Sequence, residues 1–378
     1  MTTRVLVLGA GFGGLEVSSR LAHELGDEVE VTLIDRADAF VFGFTKPHVM
    51  FGLRSLEEVR LPYAELLTPR VTFRQETIRE IDPEARRVVT DAGTYDAEVL
   101  VVALGADLDV AATPGLAESG HEFYSVEGAT AARAAVRDFT SGAALIAVCG
   151  TQFKCPPAPS EAAIMLDEIL RTRGVRDDVT IRLVTPVPAP VPPSPETSKV
   201  ILERFAERGI EFMPGRRVTS LVPATREAVL DDGSRLSFDL FLGVPVHRAP
   251  AVVTESGLAA DDGWIAVDKR TLATSFPGVY AVGDVTSVGT ARAGVFAENA
   301  ARAVADAVIA RARGEPEPPG FDGTGSCYIE FGDRRVARVD VDFFSTPGRP
   351  IASFTPASAE TADEKASFVV TRRARWFS

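Results

Sequence analysis

A chain of 378 residues is too long for one ordinary hydrophobic core, so two interwoven domains with a short tail are expected. Hydrophobic residues make up 46% and charged residues 25%, a globular composition that leaves little room for long disordered segments. The formal net charge of −13, with no dominant basic patch before the C-terminus, argues against nucleic acid as a partner, because phosphate recognition needs a local excess of Lys and Arg.

From the N-terminus, residues 4–8 (RVLVL) form a short apolar run suited to a strand buried on both faces of a parallel sheet. The strand starts too early to leave space for a secretory leader. No run approaches the roughly 20 apolar residues that span a bilayer. A cytoplasmic protein is therefore expected, touching the inner face of a membrane only peripherally. Next come Gly9, Ala10, Gly11, Phe12, Gly13 and Gly14, which place glycines at the three positions of a G-x-G-x-x-G fingerprint, between the strand and a helix expected from Leu15 to about Leu25. Gly9 permits the tight turn, Gly11 lets the backbone approach a pyrophosphate, and Gly14 lets helix and strand pack closely. A second strand, Val29 to Ile34, ends at Asp35, about 20 residues beyond the glycines, where a carboxylate accepts the hydroxyls of an adenosine ribose. These elements predict a Rossmann-like α/β domain but leave FAD and NAD as alternatives.

Two later segments favour FAD. Residues 95–107 (YDAEVLVVALGAD) read as an apolar strand closing on Ala103-Leu104-Gly105, and 274–284 (TSFPGVYAVGD) as a strand closing on Gly283-Asp284. Both resemble the further FAD-contact motifs of flavoproteins with two dinucleotide-binding domains, in which Asp284 would hold a ribityl hydroxyl. A helix is expected from about Ala291 to Arg313, its N-terminal end directed at the flavin. Between these segments, the strand 143–148 leads into a loop that lacks a second set of glycines. Gly150 is followed by TQFKCPPAPSE, whose prolines fix φ and remove N–H donors, so the loop does not suit a second pyrophosphate.

The segment TQFKCPPAPSEAA resembles the cysteine loop of the sulfide:quinone oxidoreductase and flavocytochrome c sulfide dehydrogenase flavoprotein family, and Gly325-Ser326-Cys327-Tyr328 resembles that family's second cysteine segment. The resemblance spans nearly the whole chain. It implies two Rossmann-like domains, an FAD domain over 1–112 and 265–315 with a degenerate second domain over 113–264, then a C-terminal region over 316–378. It also implies that Cys155 and Cys327 form a redox disulfide, Cys327 being the flavin-side sulfur, that sulfide or a small thiol is the donor, and that a quinone is the acceptor. Glu161 matches an acid that shuttles a proton from the donor, and a solvated acid in the first turn of a helix 160–171 is the alternative. Lys154 is expected to lower the thiol pKa. Cys149 reads as a small buried hydrophobe.

No cysteine lies near 40–44 for covalent attachment, so noncovalent FAD is expected, and no metal. Residues 186–195 (PVPAPVPPSP) predict a rigid extended loop before a helix 196–207. The end of the chain, 368–378 (FVVTRRARWFS), combines aromatic and basic residues, which suit either an interfacial anchor or packing on the FAD domain. A homodimer is the oligomeric option. Two other functions stay open: an NAD(P)H-dependent reductase of a quinone or redox protein, and a flavin-bound redox sensor without significant turnover.

Overall fold

The structure, a computed structural model, describes residues 2–66, 68 and 70–377. Strand β1 (Thr3–Leu8) leads into helix α1 (Phe12–Leu25), then β2 (Val29–Asp35), β3 (Val71–Gln75) and β4 (Val99–Val102). The alternation of side chains explains the composition of β1: Val5 and Val7 enter the core cluster that includes α1, while Leu6 and Leu8 enter a second cluster on the opposite face with Trp264 and Ile265. A strand that buries both faces has no polar side, hence the unbroken apolar run.

A short helix α2 (Val126–Asp138) precedes the second sheet. That sheet is built from β5 (Gly142–Val148), β6 (Val179–Thr185), β7 (Ile210–Pro214) and β8 (Leu240–Val244), with α3 (Ala158–Thr172) after β5 and α4 (Pro195–Arg208) after β6. Its strands are parallel in the order β8-β5-β6-β7, with His121–Glu122 added outside β8. The chain then returns to the first sheet. Strand β9 (Val279–Ala281) pairs with β4, completing the parallel order β9-β4-β1-β2-β3, and α5 (Gly294–Arg313) packs along α1. Two Rossmann-like α/β sheets thus lie in one chain, the first assembled from segments on either side of the second.

Residues 186–194 contain no helix or strand, and Pro195 opens α4, where its missing N–H is one of the donors that a helix end leaves free anyway. Helix α1 starts three residues earlier than expected and α5 three residues later, since the glycines of the first loop are already helical at Phe12 while Ala291 and Arg292 belong to the turn before α5.

After α5 come three antiparallel strands, β10 (Thr324–Glu330), β11 (Val336–Asp342) and β12 (Ile351–Ser358), followed by helix α6 (Ala359–Trp376). Of the two options for the tail, packing of its aromatic residues is the one observed. Trp376 is fully buried, meeting Phe12 and Phe40 edge-on at 5.8 and 5.7 Å, and Phe368 and Phe377 are buried too. Arg372 and Arg375 pair with the buried Glu298 and Glu16. Aromatic rings removed from water among other rings gain more than they would at an interface, and the two arginines neutralise carboxylates that could not otherwise be buried. Ser378 lies outside the described residues. Among the described residues, no helix is long and apolar enough to cross a membrane.

Candidate active site

The glycine loop is shaped by close approach. Gly9 has φ +97°, and a Cβ there would lie 2.5 Å from the Ala103 carbonyl oxygen. At Gly14 a Cβ would lie 1.8 Å from the Gly9 oxygen, so only glycine lets α1 start against β1. Gly11 differs: nothing lies within 4 Å of its Cβ position, so the loop faces open space there. Asp35, at the end of β2, accepts the Ala10 N–H at 2.7 Å and the Ala37 N–H at 2.8 Å. Tyr63 donates its hydroxyl to the Ala10 oxygen at 2.6 Å, holding the loop from the other side.

This loop forms one wall of a cavity of about 430 Å³. Gly9, Gly11, Phe12, Gly13, Asp35, Ala103, Gly105, Gly283 and Asp284 all line it, as do Cys155, Glu161 and Cys327. Gly14 does not, because it faces the strand. The sequence-predicted residues therefore converge from β1, β2, β4, β9, α3 and β10. The C-terminal ends of parallel strands and the start of a helix meet at this place, where backbone N–H groups are left unpaired and a ligand can take them up.

Other lining residues carried no signal in the sequence. Lys46 and Arg292 reach the cavity from outside the motifs, as does Tyr124. Lys46 donates to the Tyr124 carbonyl at 2.7 Å; burial and the neighbouring Lys154 bring its pKa down to about 8. Arg292 stacks 3.9 Å from the Trp264 ring centre and donates to the Asp284 carbonyl at 3.1 Å. Burial raises the Asp284 carboxyl above its ordinary value, against the pull of Lys154, Arg292 and Lys46. His247 lies behind them: its Nδ1 is 2.8 Å from the Pro245 oxygen, and burial and Lys154 push it down to about 3, so it is neutral. Lone lysines, arginines and histidines between elements have no spacing rule, so only the fold could reveal them.

The thiol side is built by the loop after β5 and by β10. Instead of cradling phosphates, that loop folds inward: Phe153 is buried, Cys155 takes φ +53°, and its N–H donates to the Arg292 oxygen at 2.6 Å. Cys155 and Cys327, 172 positions apart, are brought to one cavity, both as free thiols. The expected activation by Lys154 is corrected. Burial raises the Cys155 thiol well above its ordinary value, with Glu161 and Cys327 adding to it, and burial and Glu161 push Cys327 up to about 12. Loss of hydration outweighs the cations nearby. Cys149 is buried in the core behind β5, pushed up to about 12 mainly by burial, as its reading as a hydrophobe implies.

Glu161 is 4% exposed, which overturns the solvated alternative. It accepts the Glu330 N–H at 3.0 Å, and burial pushes its carboxyl up to about 7 against the opposing charge of Lys365. Such a group exchanges protons near neutral pH, the property a proton shuttle requires.

Comparison with known proteins agrees with this layout. The family model for pyridine nucleotide-disulphide oxidoreductases matches residues 3–312. The mitochondrial sulfide:quinone oxidoreductase of Mus musculus is 25% identical over 358 residues, covering 91% of this chain and 79% of the mouse protein. A type II NADH:quinone oxidoreductase of Staphylococcus saprophyticus is 25% identical over 302 residues, covering 75% of this chain and 74% of its own. The X-ray structure of the sulfide:quinone oxidoreductase from Aquifex aeolicus superposes with a TM-score of 0.87 at 23% identity, covering 100% of this chain and 92% of that one, so the fold is shared.

Proposed function

The chain belongs to the pyridine nucleotide-disulphide oxidoreductase family, and on that footing we propose that it is an FAD enzyme that oxidises sulfide or a small thiol through Cys155 and Cys327 and passes the electrons to a quinone. The observation that carries this reading is the meeting of two distant cysteines and a buried Glu161 in the cavity of the dinucleotide loop.

The residues present fit FAD. The open space over Gly11 and the start of α1 suit a pyrophosphate, Asp35 the adenosine ribose, and Asp284 a ribityl hydroxyl. Noncovalent binding is part of this proposal, with no cysteine at 40–44 to attach the cofactor. When bound, the flavin supplies a two-electron acceptor between the thiols and the quinone.

The chain's own residues handle sulfur and protons. With Cys155 and Cys327 joined, a substrate thiolate attacks one sulfur; a new S–S bond forms, the old one breaks, and the second cysteine leaves as thiolate. Glu161 takes the proton that the donor sheds on becoming a nucleophile. The cationic wall of Lys46, Lys154 and Arg292 favours an anionic donor such as hydrosulfide.

The likeness to type II NADH:quinone oxidoreductases favours a second reading, reduction by NADH. The inward-folded, proline-containing loop after β5 weighs against it. Anaerobic stopped-flow reduction separates the two. Fast bleaching of the flavin by sulfide, lost by at least 100-fold in Cys155→Ser and Cys327→Ser, is the expected outcome. Bleaching by NADH that survives both substitutions would overturn the proposal in favour of a pyridine-nucleotide reductase.

A further inference from the structure

Glu161 has charged neighbours outside the cavity that the sulfur chemistry does not use. Beyond its hydrogen bond to the Glu330 N–H, the Glu330 carboxylate itself receives Lys365 Nζ at 2.7 Å and lies 3.2 Å from His48 Nε2. Lys365 comes from the tail helix α6, its side chain is 7% exposed, and its Nζ stands 5.1 Å from the centre of the Phe44 ring. Glu330, Lys365 and His48 line a separate groove of about 1010 Å³ beside the cavity, and neither Glu330 nor Lys365 lines the cavity itself.

Two carboxyl groups therefore share the influence of one buried ammonium. A buried carboxylate that pairs with an ammonium stays ionised, whereas a buried carboxyl without such a partner holds its proton. The hydrogen-bonded partner wins. We propose that Lys365 and Glu330 are a positioning pair: Glu330 claims the Lys365 ammonium and stays an anion, and this leaves Glu161 as the carboxyl that exchanges a proton with the Cys155 and Cys327 thiols. The inference rests on the thiol chemistry proposed above for its purpose, though not for its test.

The electrostatics of the named neighbours agree. Burial opposes ionisation of Glu330, but His48 and Lys365 outweigh it and bring Glu330 down to about 2. Burial is the main cause that raises Glu161; Lys365 and the Glu330 N–H pull it down, and the Glu330 charge adds a smaller push upward. The remaining neighbours, Cys155 ahead of α3, Cys327 in β10 and Tyr124, are each raised by Glu161 or by burial and stay neutral beside it. The consequence is a tail helix whose docking sets the acid–base state of a site to which it gives no sulfur.

Infrared titration of the flavin-loaded protein reads the Glu161 proton directly, through the protonated carboxyl band that Glu161→Gln removes. The two halves of the pair push in opposite directions. Lys365→Met is expected to raise the midpoint of that band by about 1 pH unit or more, with Lys365→Arg restoring it. Glu330→Gln frees the ammonium and removes a repelling charge, so the midpoint is expected to fall. Midpoints that stay at the wild-type pH in both variants, or that move in the same direction, would overturn the pair; so would a wild type with no such band. If one variant fails to fold, the other still gives a signed result. Because no donor is used, a failure of sulfide to reduce the flavin would count against the proposed function and leave the pair standing.

Discussion

A carboxyl group sealed from water loses the hydration that makes its anion cheap, and Glu161 shows the size of that loss. Its folded value of about 7 lies above the ordinary 4.5, so across that window the native state binds more protons than the unfolded chain. Stability from this group is complete below pH 4.5 and lost as pH rises through 7, by on the order of 3 kcal/mol. Glu161→Gln keeps the acceptor for Glu330 and removes the titration. Urea unfolding at pH 5 and pH 8 is expected to show the variant gaining on the wild type as pH rises, and parallel values at the two pH values would contradict the burial argument. The same shielding orders the thiols. Cys149 sits in a closed core while Cys155 and Cys327 line the cavity, so alkylation of the reduced but still folded protein is expected to label the latter two first, with all three equal only after unfolding. Mass spectrometry of a time course decides this.

At the scale of elements, the tail helix α6 is held by a charge cluster. Glu16 of α1 accepts Arg302 Nε at 2.7 Å, Arg375 Nη1 at 2.8 Å and Trp376 Nε1 at 2.9 Å, while Glu298 of α5 meets Arg302, Arg372 and Arg375. One indole thus joins an aromatic core to a buried carboxylate. Trp376→Ala removes both the packing and a hydrogen bond, and is expected to cost about 3–5 kcal/mol in chemical denaturation. Because Trp376 backs Phe12 and Phe40 of the cavity wall, flavin retention on gel filtration is expected to fall with it. A loss below about 1 kcal/mol would mean that the helix end is only loosely docked. The helices after β1 and β5 were legible from their loops, since glycine and proline act locally on φ and on N–H donors. The docking of α6 was not legible, because the same aromatic and basic residues suit a membrane surface or a core, and only their neighbours decide.

In the whole molecule, the cavity draws walls from the N-terminal loop, the segment 39–47, the loop after β5, the turn before α5, β10 and α6. A ligand there bridges segments that are distant in the chain, and binding only the native state raises stability by about 2.7 kcal/mol at 100 times Kd. Stripping the flavin is therefore expected to lower Tm, and added FAD to restore it with a dose dependence; an unchanged Tm would mean that FAD does not bind the native state in preference to the unfolded chain. Residues 3–8, the glycine loop, Asp35 and the later Gly-Asp were readable in sequence because each depends on short-range geometry: a strand buried on both faces, a turn that a Cβ would block, a carboxylate at a strand end. The sequence by itself determined the dinucleotide-binding α/β fold and the glycine and carboxylate motifs at its strand ends. Only the tertiary structure decided that Cys155 and Cys327 share a cavity, that Glu161 is buried beside Glu330 and Lys365, and that the tail turns inward. Those properties depend on desolvation and on charges brought close by chain folding, quantities that no spacing along the chain encodes.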